Sequence, residues 1–206
     1  MRKWVTKSIL INGESKVYLN FKQLSRGNRE QENVAHFVNK GQVINLMYYE
    51  IRSLERHDLR FLREMVYESA FVPEGQRPFP RTILDEPSVS KFFDGWGEQS
   101  DDIGLIAERG EQPVGAIWLR LFDKEQKSYG DEETPEIGMA ILKEFRGKGI
   151  GSTLMGMLET QAKNYGYQKL FLSVDPRNPA RRLYEHLGYE HVGWDETFWA
   201  MEKELV

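Results

Sequence analysis

Apolar positions along the chain recur with two different periods, and the switches between them predict the elements. Ser8 to Ile11 and Lys16 to Phe21 are apolar runs on either side of Asn12-Gly13, the strongest short-range signal for a hairpin. Val43 to Ile51 reads as a strand, rich in β-branched and aromatic residues. Helical spacing then takes over, with Leu59, Leu62, Met65, Val66 and Ala70 on one face from about Glu55 to Ala70, and Asp58 in the first turn, where a carboxylate suits the helix dipole. Ile103 to Ala107 and Val114 to Leu119, the second continuing through Leu121-Phe122, are apolar runs joined by the polar residues 108–112 and predict a second hairpin. Beyond them, Ile137 to Leu142 is a strand. Ile150, Leu154, Leu158 and Ala162, with Met157 beside them, form the stripe of a helix stopped by Gly166. Lys169 to Val174 is a strand, Pro179 to Leu187 a short helix ended by Gly188, and Phe198 to Leu205 a closing strand. Strands alternating with helices, after hairpins, predict a mixed α/β sheet.

The polar stretches between these elements are less legible. Lys22 to Lys40 predicts a loop with a short helix, and Pro73 to Pro87 a proline-rich loop, followed by a short helix to Phe93. Trp96, held between Gly95 and Gly97, is either a lid over a site or a buried corner. Asp123 to Pro135 is an acidic loop, read as a solvated turn or as a surface that attracts a cationic ligand. The expected organisation is an N-terminal extension, residues 1–46, docked or mobile and a candidate for a homodimer contact, before a domain spanning residues 47–206.

Composition narrows the chemistry. The chain has no cysteine, which removes disulfides, a thiolate nucleophile and a cysteine-held metal. Its four histidines lack metal-ligand spacing, so no metal site is expected. A net charge of −4 and the absence of a basic stripe argue against nucleic acid as the partner. No apolar stretch is long enough for a membrane span or a signal core, which predicts a cytoplasmic protein with no membrane contact.

The stretch that organises the rest is Glu144-Phe145-Arg146-Gly147-Lys148-Gly149-Ile150-Gly151-Ser152-Thr153, between a strand and a helix. Alternate glycines permit unusual dihedrals and close approach of a ligand to the main chain. The first N–H groups of the helix lack intrahelical partners, and a phosphate or pyrophosphate would satisfy them. Arg146 and Lys148 add positive charge. The spacing is wrong for a P-loop, because Lys148 precedes the last glycines. A dinucleotide fingerprint lacks its third glycine, which would fall at Ser152 or Leu154, although Asp175 stands at the expected remove.

Arg146, Gly149 and Gly151 also match Arg-x-x-Gly-x-Gly, and with their flanks they resemble the GCN5-related N-acetyltransferase (GNAT) superfamily. The flanks are Pro135 to Ile141 before the turn, and Asn178, Ala180, Leu183-Tyr184 and Gly188-Tyr189 after it, in the family's order. The likeness runs from about Ile51 to the C-terminus. It implies a mostly antiparallel mixed sheet with splayed central parallel strands flanked by helices, and acetyl-CoA as cosubstrate.

By that resemblance, the pantetheine arm would lie between the strands at Glu136 to Leu142 and Lys169 to Val174, bonded by backbone groups of Ala140 and Ile141. The diphosphate would sit on Arg146, Gly147, Lys148, Gly149, Ile150, Gly151 and Ser152. Asn178 would bond the pantetheine or cap the following helix. Tyr184 falls where the family places a general acid, and Glu136, at the start of the central strand, is placed for a base acting directly or through water. Each has a plainer reading, a core tyrosine and an exposed strand end. Tyr67, Glu68, Phe71 and Trp96 are the candidate acceptor contacts. Acetyl transfer to an amine needs no covalent enzyme intermediate, which suits a chain without cysteine. The expected acceptor is a small-molecule or peptide primary amine. A non-catalytic acyl-CoA-binding module and a dinucleotide-binding domain are the alternatives.

Overall fold

The structure, a computed structural model, describes residues 49–127 and 129–205, and before them the backbone course of four strands: β1 (Val5–Ile11), β2 (Ser15–Phe21), β3 (His36–Asn39) and β4 (Gln42–Asn45). β1 and β2 pair antiparallel with Ile11 opposite Ser15, as the hairpin signal predicts; the turn residues 12–14 lie outside the described residues. The strand expected from Val43 to Ile51 is instead two pieces in different sheets. β4 ends at Asn45 and pairs with β3, whereas β5 (Glu50–Ser53) opens the main sheet. An unbroken apolar run does not encode a change of partner. The loop and short helix expected over 22–40 meet strand β3 at 36–39, and residues 22–35 and 40 fall outside the described ones.

The main sheet has seven strands in the order β10-β11-β9-β8-β7-β6-β5. These are β6 (Ile103–Arg109), β7 (Gln112–Arg120), β8 (Glu136–Ile141), β9 (Lys169–Val174), β10 (Glu190–Asp195) and β11 (Phe198–Glu204), with β5 at one edge. Every neighbouring pair is antiparallel except β8 and β9, which run parallel.

Alternation along the central strands builds two cores. On one face Ile117, Leu119, Ile137 and Ile141 pack with α3 (Ile150–Tyr165), whose buried residues are Ile150, Leu154, Met155, Leu158 and Ala162. Met155 replaces the expected Met157, which is only half-buried. On the other face Ala116, Trp118 and Ala140 pack with Leu62, Met65 and Val66 of α1 (Leu59–Ser69). Gly138 lies directly beneath Trp118: a Cβ there would stand 2.3–2.4 Å from three atoms of the indole.

α1 is entered through a 3-10 turn, Arg56–Asp58. The Glu55 N–H donates to the Asp58 carboxylate at 2.9 Å, and Arg52 donates to both of its oxygens at 2.6 and 2.8 Å. Burial alone would raise the Asp58 carboxyl, but the Arg52 and Glu55 hydrogen bonds outweigh it and hold the group below its ordinary value. The proline-rich segment contains a further 3-10 turn, Arg81–Asp85, before α2 (Pro87–Ser90). Buried Arg120 fastens α2 to the sheet, donating to the carbonyls of Lys91 and Asp94 and to the Asp102 carboxylate, each at 2.7 Å.

Candidate active site

β8 and β9 are paired only at their beginnings. Glu136 is the one β8 residue in register with β9, opposite Phe171, and the Phe171 N–H donates to the Pro135 carbonyl at 3.1 Å. From there the two strands diverge toward their C-terminal ends. The main-chain groups along the facing edges of the gap are thereby left for a ligand, and a backbone-lined slot of this kind suits an extended chain carrying amides.

The glycine turn stands at the mouth of this gap. Gly147 and Gly149 have φ of 72° and 79°, a conformation glycine reaches without cost, and Gly149 is the N-cap of α3. No side chain caps that terminus, so the first-turn N–H groups of a sixteen-residue helix are free for an anion. Ile150 is core, and Ser152 is half-buried, so Ile150 can contribute only its N–H. Gly151 serves packing as well: a Cβ there would lie 3.3 Å from Leu183 and 3.4 Å from Met139.

The two cations of the turn fold back onto it. Arg146 donates from Nε to the Ile141 carbonyl at 2.7 Å and from Nη2 to Glu68 at 3.4 Å; Lys148 donates to the Glu144 carbonyl at 2.7 Å and covers the Phe145 ring. Their first role is to brace the turn. The Ile141 carbonyl is accordingly already occupied, and Glu68, expected on the acceptor wall, is tied to Arg146. Ala140 is buried toward α1. Asn178 accepts the Ala180 N–H at 2.9 Å in a local turn just ahead of α4 (Arg181–His186), and no side chain caps that helix.

Glu136 shares its face of the sheet with Gly138 and Ala140. It is 7% exposed and bound by Lys91, whose Nζ lies 3.0 Å from Oε2 and also donates to the Gln126 carbonyl at 3.1 Å. Burial pushes the Glu136 carboxyl above its ordinary value, Lys91 and Lys127 pull it down, and nearby Asp195 adds to the rise. Asp195, itself buried, accepts from the Ser173 hydroxyl on β9. The connection from β7 to β8 closes over this end: Tyr129 stacks on Phe171 with ring centres 5.6 Å apart, and its hydroxyl donates to Val192 at 3.1 Å. Lys127 donates to the Asp131 and Thr134 carbonyls. The acidic loop is therefore a cover over the closed end of the gap as well as a solvated turn.

Tyr184 lies on the opposite face, within the α3 core and edge-on to Tyr189. Burial alone pushes its hydroxyl up to about 12. Tyr184 and Glu136 are thus placed on either side of β8 and share no contact. Tyr67 donates to the Phe79 carbonyl at 2.7 Å and carries Arg81 over its ring, which ties α1 to the proline-rich segment; Phe71 is half-buried just past α1. Trp96 is a correction among the acceptor contacts. It is 2% exposed, packed on Leu54 and Gly104, and belongs to the buried corner.

Lys91, Arg120, Ser173 and Asp195 escaped the reading of the sequence. Arg120 had a usable signal, since antiparallel pairing of β7 with β8 sets it opposite Glu136. Lys91 and Asp195 had none, because their partners are distant in the chain.

The sequence model described as "Acetyltransferase (GNAT) family" matches residues 61–189, more than half of the chain. The chain belongs to this acetyltransferase family. That membership sets aside the dinucleotide-binding alternative. Over 58 residues the chain is 41% identical to the [ribosomal protein bS18]-alanine N-acetyltransferase of Haemophilus influenzae, a match covering 28% of this chain and 40% of that protein. Among solved structures, the PaiA N-acetyltransferase of Thermoplasma acidophilum in complex with coenzyme A is similar with a TM-score of 0.58 at 22% identity, over 76% of this chain and 98% of that one. The YncA putative acetyltransferase of Salmonella typhimurium with acetyl-CoA has a TM-score of 0.55 at 17% identity, over 77% and 94%. At such identities these two establish the fold, which agrees with the expected sheet. Among the described residues no helix is long and apolar enough to cross a membrane.

Proposed function

We propose that the protein, through a catalytic domain spanning residues 47–206, transfers the acetyl group of acetyl-CoA to a primary amine, in a ternary complex and without a covalent enzyme intermediate. The observation that carries this reading is the gap between β8 and β9, paired only at Glu136 and Phe171, opening onto the uncapped start of α3. Backbone N–H groups from Gly149 to Ser152 would hold the diphosphate, and the free edge of β8 around Ala140 would hold the pantetheine amides. When bound, acetyl-CoA supplies an acyl group activated as a thioester. A β8 N–H directed into the gap would polarise its carbonyl.

Glu136 is the proposed base, accepting the ammonium proton directly or through water. It can do so only in its ionised form, which Lys91 favours against burial. Tyr184, whose hydroxyl stays protonated at neutral pH, is the proposed proton donor to the departing thiolate. The acceptor is proposed to be a small cationic amine drawn by the acidic 123–135 connection. The relatives' names widen the set to be tested: one acetylates an alanine of a ribosomal protein, and another similar structure is a chimera of spermidine N-acetyltransferase SpeG.

Titration calorimetry with acetyl-CoA, CoA and NAD tests the binding step. Gly149→Glu should abolish acetyl-CoA binding, by placing a carboxylate where the diphosphate sits and a side chain at a positive φ. A panel of amines, including spermidine and a peptide with N-terminal alanine, followed by thiol release, tests transfer. A second reading, an acyl-CoA-binding module without transfer, draws on the occupation of Glu136 by Lys91. Tight acetyl-CoA binding with no thiol release on any amine would favour it; no acetyl-CoA binding would overturn both.

A further inference from the structure

A shallow depression open to solvent lies after β9 and along α4, lined by Pro176, Arg177, Asn178, Pro179, Arg181 and Arg182. Three arginines thus line one small surface of a chain whose net charge is −4. Their present partners leave donors to spare. Arg177 is paired with Asp175 at 2.7 and 3.0 Å, and Arg181 lies over the Trp199 ring at 4.7 Å with Glu185 at 3.6 Å. Arg182 is exposed and has no ion-pair partner among the described residues. Exposed pairs of this sort are weak, and each guanidinium keeps N–H groups for another anion.

The depression adjoins the glycine turn. Leu183, next to Arg182, is the residue against which Gly151 packs, so α4 and the first turn of α3 are in contact. On the other flank of the turn, Arg146 is already bound to Glu68 and Ile141. A nucleotide whose diphosphate rests at Gly149 to Gly151 therefore finds its free cation on the α4 side. We infer that the depression formed by Arg177, Arg181 and Arg182 receives the ribose 3′-phosphate of CoA. The inference rests on the cosubstrate reading above. Arginine suits a phosphomonoester, whose oxygens accept paired N–H bonds from its planar fork.

Equilibrium binding of CoA and of 3′-dephospho-CoA to the full chain separates the two ideas. The wild type should prefer CoA by about fivefold or more, the worth of one or two partly exposed charge-assisted hydrogen bonds. Arg182→Gln should lower that ratio, and Arg181→Gln with Arg182→Gln should bring it close to one, while affinity for dephospho-CoA moves by less than about twofold. Arg181 packs on Trp199, so thermal unfolding checks the double variant; Arg182→Gln, at an exposed position, carries the test if the double variant is unfolded. A wild-type ratio near one, a ratio unchanged by Arg182→Gln, or an equal loss for both ligands would overturn the inference. Failure of CoA itself to bind the wild type would instead overturn the cosubstrate reading.

Discussion

Gly138→Ala offers the sharpest test of how the central strand is built. The added Cβ would lie 2.3 Å from Cε2 and 2.4 Å from Cζ2 and Nε1 of Trp118, more than 1 Å inside ordinary contact. Trp118 is 1% exposed, packed in the core that includes Leu62, Met65 and Val66 and edge-on to Phe92, so its ring has no free direction in which to retreat. Overpacking of this kind costs about 1–3 kcal/mol, and a locked indole argues for the upper half, roughly 2–3 kcal/mol. In a domain of this size that lowers Tm by about 4–12 °C. Urea unfolding should report the same loss at unchanged slope. A smaller ring should relieve the clash: in a Trp118→Phe background the alanine should cost less, giving a coupling of about 1 kcal/mol or more in a double-mutant cycle. A Tm within about 1 °C of wild type for Gly138→Ala would refute the packing argument, and additive costs would show that Trp118 is not the obstacle.

Three further outcomes follow from the site and its supports. Asp58→Asn should destabilise by about 2 kcal/mol at pH 7, because it removes a charge from a buried, doubly bonded group. The folded carboxyl titrates below its unfolded value of 3.8, so the wild-type advantage should be fully present above pH 4 or so and vanish as pH falls through the folded value; an undiminished difference in very acidic urea melts would contradict this. Lys91→Met should move the acid limb of the kcat/KM profile to higher pH, since burial then acts on Glu136 with less opposition, while Lys91→Arg should restore it; an unmoved limb would remove Glu136 from the role of base. Tyr184→Phe should lower kcat by about a hundredfold with KM for acetyl-CoA little changed, whereas a kcat within twofold of wild type would leave Tyr184 as a core residue.

Much of this architecture was legible because its determinants are local. Strand β9 matches its expected bounds, and the glycine turn is readable since its chemistry resides in the backbone and is specified by Gly147, Gly149 and Gly151 themselves. β10 was missed for the opposite reason. Glu190 to Asp195 is exposed at most positions and has little apolar period, so it becomes a strand only through pairing with β11, Trp194 opposite Trp199. The candidate site was legible by residue type and less so by role. Charge beside a glycine-rich turn suggests phosphate contact, but nothing local reveals that Arg146 and Lys148 find carbonyl partners first. Trp96 followed the same pattern, because glycine flanks describe a bend and do not say which side of it is buried.

The placement of the titratable groups suggests how the family's fold divides its work in this chain. The face of the sheet under α3 holds Tyr184, whose hydroxyl is shifted by burial alone and stays protonated at neutral pH. The opposite face gathers Glu136, Lys91, Lys127, Asp195 and Ser173 beneath the 123–135 connection, where the charge on Glu136 depends on its neighbours. A continuous sheet would insulate these two environments from one another. The single paired position at Glu136 and Phe171 ends that insulation, because beyond it the strands part and a chain lying in the gap is open to both faces. On the proposed mechanism, donor and acceptor of protons would therefore be tuned separately, one by desolvation and the other by ion pairing, and still act on a substrate held between β8 and β9. The same geometry explains why Gly138 and Ala140 are small: larger side chains on that face would meet Trp118 and α1 and force β8 out of the position that leaves the gap open.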